Sequence, residues 1–351
     1  MAANVKRLAY FEQWIDPVAV EMLGKEPDIE LSRLLFETPE ADSWAVLSRS
    51  HGYQILPRGD LREPWFGNGA LLAKCPRLLA ISSTGAGYDM VDVDACTKAG
   101  VIVVCQTGTN KEAVAEHALG LMIALSKKIG ITDKALRTGT FVDRYAFTGN
   151  DILGKTVGIV GIGHIGTRVA ELCGGLLRMR VLACDPYLSA EEVKARGAEK
   201  VELDQLLEQS DFVTVHCPRS AETFGMLGAA QFARMKPSAF FLNTARGGIH
   251  KEDDLAAALA ARQIAGAGID VFLVEPPPAS HPLLQFDNVI ASPHIAGVTH
   301  EAMHEMARAA AEQWIDLFAG KVPPRLVNPE VWPRYCERFE RVLGFRPAAI
   351  G

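Results

Sequence analysis

The chain has 351 residues, 48% hydrophobic and 22% charged, which is enough to bury about two cores at roughly 100–200 residues per domain. Its 31 glycines and 19 prolines are ordinary for a globular protein and exclude collagen-like, coiled-coil and disordered classes. A net charge of −6 with no long basic block leaves no electrostatic footprint for nucleic acid.

No apolar run reaches the ~18 residues of a membrane span. Glu12 and Asp16 interrupt the N-terminal stretch where a signal peptide would be continuously apolar. The seven cysteines (Cys75, Cys96, Cys105, Cys173, Cys184, Cys217, Cys336) are odd in number, form no C-x-x-C, and sit mostly in apolar runs such as VIVVC and VLACD. These features predict reduced core thiols in a cytoplasmic protein with no membrane partner.

In chain order, strands are predicted at Arg7–Glu12, Leu78–Ser82 and Val101–Cys105, followed by a helix at Val114–Ile129. A second series follows, with strands at Thr156–Gly161, Arg180–Cys184, Phe212–His216, Ala239–Asn243, Gly266–Val271 and Val289–Ser292. Helical patterns at Ile165–Gly174, Leu203–Gln209, Glu252–Ala261 and His300–Ala319 separate or follow them. Several strands are continuous in Val, Ile, Leu and Ala rather than alternating, as parallel strands covered on both faces are. The expected class is therefore α/β. The tail from Lys321 carries five of the prolines and reads as an irregular arm on the surface or on a second subunit.

Thr156–Gly166 reads TVGIVGIGHIG, so Gly161, Gly163 and Gly166 form G-x-G-x-x-G between a strand and a helix that begins near His164 and Ile165. In such a turn the first glycine permits the bend, the second lets a pyrophosphate approach, and the third lets helix pack on strand. The helix N-terminus supplies free N–H groups. Asp185 ends the next strand, 19 residues after Gly166, where a carboxylate can bind ribose hydroxyls. Together they predict a dinucleotide, NAD in preference to NADP.

Three later strands each end in a reactive side chain: FFLNTARGG (Arg246), GIDVFLVEPPP (Asp270, Glu275) and VIASPHIAG (His294). Singly, each has a structural explanation. Together they supply a cation for a carboxylate and carbonyl, a histidine for the proton, and a carboxylate to orient that histidine.

The motifs STGAGYDMVDV, AVAEHALGLM, GIVGIGHIG, NTARGGIHKEDDL, GIDVF–EP and SPHIAG resemble the D-isomer-specific 2-hydroxyacid dehydrogenase family, over roughly Leu78 to Ala319. The resemblance implies two doubly wound parallel-sheet domains. One is a discontinuous flavodoxin-like substrate domain (1–107 and 300–351), the other a Rossmann NAD-binding domain (108–299). It implies that Arg246 binds substrate, His294 is the acid/base and Glu275 its partner. The backbone of Gly85, Ala86 and Gly87 would meet the substrate carboxylate. Cofactor would be met by Ala86, Asn110, Val114, the glycine turn with His164 and Ile165, Asp185, Cys217, Thr244, Asp270 and Gly297.

The substrate implied is a small 2-oxo or 2-hydroxy acid, and the assembly a homodimer with Val114–Ile129 as interface. Two departures stand out. His250-Lys251 replaces an apolar residue followed by Asp, and Arg219, expected near the adenosine end, replaces an apolar residue after the proline of H-x-P. Arg58 or Arg62 would be the candidate for holding a substrate phosphate.

Two other classes stay open. A non-catalytic NAD-sensing corepressor-like protein would keep the same residues. His300-Glu301-Ala302-Met303-His304 matches the zinc-peptidase pattern H-E-x-x-H, with Glu330 a poor third ligand. The expectation is no metal: Thr299 caps a helix whose first turn carries Glu301.

Overall fold

The computed structural model describes residues 5–56 and 60–350. The chain divides into two compact units, residues 1–110 with 299–351 and residues 111–298.

The first unit is built on a five-stranded parallel sheet. Its strands are β1 (Lys6–Phe11), β2 (Ile29–Leu34), β3 (Gly52–Ile55), β4 (Ala80–Ser83) and β5 (Ile102–Val104), in the order β2-β1-β3-β4-β5. This is the flavodoxin-like order, which reverses between β1 and β3. The helix His300–Phe318 lays Ala307, Ala311, Trp314 and Phe318 on one face of the sheet, against Leu8, Leu79 and Ile102.

The tail is not an irregular arm. Trp332–Leu343 is a helix whose Trp332, Tyr335, Cys336, Phe339 and Leu343 enter that same core. These positions follow a 3.6-residue period, and the flanking prolines lie outside the helix or in its first turn, where proline is tolerated.

The second unit holds a seven-stranded parallel sheet: β6 (Thr156–Val160), β7 (Arg180–Cys184), β8 (Glu199–Lys200), β9 (Phe212–Val215), β10 (Phe240–Asn243), β11 (Gly266–Ile269) and β12 (Val289–Ala291). The order is β12-β11-β10-β9-β6-β7-β8. The chain runs outward from β6 in both directions, so the loop after β6 opens at the switch point where such sheets bind ligands.

Helix Lys111–Ser126 spends Ala115, Ala118, Leu121, Met122 and Leu125 on this unit's own core. Ile123 is exposed on that helix, and further exposed apolar side chains follow it at Ile129, Leu136, Phe141, Val142 and Tyr145. No described helix is long and apolar enough to cross a membrane.

Candidate active site

Because all seven strands of the second unit run parallel, every loop that follows a strand emerges at one edge of the sheet. That edge carries the glycine turn after β6, Asp185 after β7, Cys217 and Arg219 after β9, Thr244 and Arg246 after β10, Asp270 and Glu275 after β11, and His294 after β12. Sequence-distant residues on β10, β11 and β12 thus become neighbours.

Within the glycine turn the three glycines answer to different constraints. Gly161 has φ +88°, and a Cβ there would lie 2.7 Å from the Cys217 backbone nitrogen. A Cβ on Gly166 would fall 2.3 Å from the Gly161 carbonyl oxygen. At Gly163 a Cβ would meet nothing within 4 Å, so the protein's own packing gives no reason for that glycine. Room for an approaching phosphate does. His164 opens the helix His164–Glu171, directing its free N–H groups toward the same space.

The Asp185 carboxylate is held by the Ile162 and Tyr187 backbone N–H groups, each at 3.1 Å. Burial pushes the Cys217 thiol up to about 11. The Thr244 hydroxyl is buried and unpartnered among the described residues, as is Asn110 Oδ1 in the first unit. The open glycine and the unmatched Thr244 hydroxyl fit a dinucleotide. Ile165 lies in the first turn of that helix, Val114 is buried in Lys111–Ser126, and Gly297 is three residues past His294.

His294 Nδ1 lies 2.8 Å from Glu275 Oε2. The other Glu275 oxygen accepts the Phe272 N–H at 3.0 Å. Burial opposes ionisation of Glu275. The bond to His294, its charge, the Phe272 N–H and the nearby Arg246 charge outweigh burial and hold the carboxyl below the usual glutamate range. The Arg246 and Glu275 loops abut: a Cβ on Gly247 would stand 1.9 Å from the Phe272 carbonyl oxygen.

Asp270, expected to meet the cofactor, is fully buried, and its carboxylate braces the His294 loop. It accepts Ser292 Oγ at 2.6 Å and the Ile295 and Ala296 N–H groups at 2.9 Å each. Ser292 Oγ also lies 3.1 Å from His117 Nε2, a pair that sequence reasoning missed although both stand in the quoted motifs.

Arg219 reaches the loop after β10. Its Nη1 donates to the Gly247 carbonyl at 3.2 Å, beside Arg246. The same loop after β9 also reaches the Asp185 segment, where the Tyr187 hydroxyl donates to the Glu222 carboxylate.

In the first unit, Gly85, Ala86 and Gly87 form a half-buried turn after β4, pinned by Gln106 N–H on the Gly85 carbonyl (2.9 Å) and by Ser83 Oγ on the Gly87 carbonyl. The Arg62 guanidinium rests 4.2 Å over the Phe36 ring. Arg58 lies outside the described residues. Of the zinc-like motif, His304 Nδ1 pairs with Asp16 at 3.3 Å and the Thr299 side chain caps the helix by accepting the Ala302 N–H. No group of three His, Cys, Asp or Glu side chains among the described residues is placed to hold a metal.

Parallel sheets of this order with a dinucleotide turn define a Rossmann-type α/β protein, and an Arg, a Glu and a His stand at the ends of its adjacent strands. The chain belongs to the D-isomer-specific 2-hydroxyacid dehydrogenases: residues 119–296 match the NAD-binding domain of that family. It is 40% identical over 269 residues to D-3-phosphoglycerate dehydrogenase of Archaeoglobus fulgidus, covering 76% of this chain and 50% of that one. Glyoxylate reductase of Korarchaeum cryptofilum is 39% identical over 259 residues, 73% of this chain and 78% of that one. The chain therefore spans about half the length of the first relative and most of the second.

Among solved structures, D-lactate dehydrogenase of Aquifex aeolicus, complexed with NAD and lactic acid, is similar. The TM-score is 0.75, with 27% identity over 89% of this chain and 96% of that one.

Proposed function

We propose that this protein interconverts a small D-2-hydroxy acid and its 2-oxo acid, with NAD as hydride carrier. The observation that carries the reading is the 2.8 Å His294–Glu275 pair, with the Arg246 charge acting on the same carboxylate. Arg246 binds the substrate carboxylate and polarises the carbonyl. Glu275 occupies His294 Nδ1 and so leaves Nε2 to donate the proton in reduction and accept it in oxidation. Bound NAD supplies the hydride acceptor or donor.

In this reading residues 1–107 with 300–351 form the substrate domain and 108–299 the cofactor domain. Gly85, Ala86 and Gly87 offer backbone N–H groups to the substrate carboxylate. Asn110, Val114, the glycine turn, Asp185, Cys217, Thr244, Asp270 and Gly297 serve the cofactor. Association as a homodimer in the cytoplasm belongs to the same reading. The exposed side chains between Ile129 and Tyr145 support an interface there rather than on the helix before them.

The test is NADH consumption by the purified protein with glyoxylate, hydroxypyruvate, pyruvate and phosphohydroxypyruvate. Turnover with at least one is expected. Tight NADH binding with no turnover on any 2-oxo acid would instead favour the non-catalytic sensor.

A further inference from the structure

Behind the Arg246 turn lies a histidine that the chemistry above does not use. His250 is 1% exposed, and its ring packs edge-on against Phe241 at 5.4 Å. It is joined to Arg246 through a single side chain, Asn243, at the end of β10.

The Asn243 amide has one consistent orientation. Its Oδ1 accepts the Ala245 N–H at 2.9 Å, so Nδ2 carries the two protons that face the other way. One goes to the Arg246 carbonyl at 2.9 Å and the other toward His250 Nδ1 at 2.9 Å. The second contact is a hydrogen bond only when His250 Nδ1 holds a lone pair, which puts the ring proton on Nε2.

Nε2 itself is buried and unpartnered among the described residues. Nδ1 is thus the one polar atom of this ring with a partner, and that partner holds the main chain at Arg246. Burial, with a smaller contribution from His281, lowers His250 to about 4 and keeps the ring neutral. His281 is itself engaged by Glu252 at 3.1 Å, and Glu252 also accepts the Leu273 N–H at 2.7 Å.

We propose that His250 is a positioning residue which, through Asn243, fixes the main chain at Arg246 and with it the aim of the guanidinium. The inference rests on the reading of Arg246 as the substrate-binding cation. An aliphatic side chain at 250 would leave a buried Asn243 proton without an acceptor, and the amide would turn or tilt to find one. Glutamine can restore the acceptor through its Oε1. Sub-ångström displacements at a binding cation are enough to change turnover.

Two activity-independent readouts decide the link. In the 15N-labelled full chain at pH 7, His250, assigned by its loss in His250→Gln, should be neutral with its proton on Nε2. The Arg246 Nε–H cross-peak should move in His250→Leu and return close to its original position in His250→Gln. A charged ring, a proton on Nδ1, or an Arg246 cross-peak indifferent to His250→Leu would overturn the proposal.

Kinetics with NADH and glyoxylate supply the third arm. His250→Leu should lower kcat/KM for the 2-oxo acid about tenfold, with NADH binding changed less than about twofold and His250→Gln recovering most of the loss. A lowered Tm with kcat/KM unchanged in both variants would show a merely structural histidine and defeat the proposal. An unmodified protein inactive on every 2-oxo acid would sink the dehydrogenase reading instead, and the two cross-peak measurements would still decide the His250 link.

Discussion

His294 holds a left-handed backbone conformation, φ +57°, that costs a non-glycine residue of order 1–3 kcal/mol. The buried Asp270 offsets it, its main-chain carbonyl accepting the His294 N–H at 2.7 Å and its carboxylate binding the loop on both sides. Replacing the imidazole of the proposed general acid with a hydrogen, His294→Ala, should lower kcat for reduction by ~10²-fold or more while leaving NADH affinity nearly unchanged, as stopped-flow and fluorescence titration would show.

Glu275 gives a pH prediction with a definite sign. Its carboxyl is held below the usual glutamate range in the folded protein, so the stabilisation it provides is present above the unfolded pKa and is lost as pH falls through the folded one. The Tm advantage of the unmodified protein over Glu275→Gln should therefore shrink between pH 6 and pH 3; a constant gap in calorimetry would refute it. In the proposed function, Asp185 decides the cofactor's ribose end. A 2′-phosphate would meet its charge and lose the hydrogen bonds a free hydroxyl makes there. kcat/KM should favour NADH over NADPH, and Asp185→Ser should narrow the ratio; equal use by the unmodified protein would reject the assignment.

At the scale of elements, the strands that could be read from sequence are those buried on both faces, such as Phe212–Val215 and Phe240–Asn243, because continuous apolar runs are their signature. β2 escaped because it is an edge strand broken by Glu30, Ser32 and Arg33. β3 escaped because it opens with Gly52, where a Cβ would stand 2.5 Å from the Trp314 ring, and carries Gln54, whose Oε1 accepts the Trp314 indole N–H at 2.8 Å. Both features depend on a helix near the other end of the chain, which no local window contains.

The tail helix was legible in principle, since Trp332, Tyr335, Phe339 and Leu343 have helical spacing, but the prolines around it masked the period. Of the site, the glycine turn, Arg246, Glu275 and His294 announce themselves as strand-end motifs. The Asp270 brace and the Asn243–His250 link do not, because they are side-chain bonds that only the folded loops create. The fully buried Phe339 gives the element-scale prediction: Phe339→Ala should destabilise the first unit by about 3–5 kcal/mol in urea unfolding. A loss below about 1 kcal/mol would mean that the tail helix is peripheral to that core.

For the molecule as a whole, the two units differ in how their sequence is distributed. The second is one continuous stretch, 111–298, whereas the first draws its core from both 1–110 and 299–351. Leu8, Leu79 and Ile102 on one side of the first sheet are covered by Trp314, Phe318 and Tyr335, which a ribosome delivers only after the second unit. During synthesis the second unit can close as soon as its final strand has emerged, while the first carries an uncovered apolar sheet face through the translation of some 190 further residues. Nascent chains arrested before Thr299 should therefore show protease-resistant 111–298 alongside a labile, chaperone-binding N-terminal part, and chains released after Leu343 should lose that binding. Early protection of both units in arrested chains would show that the N-terminal segment folds without its late-arriving cover.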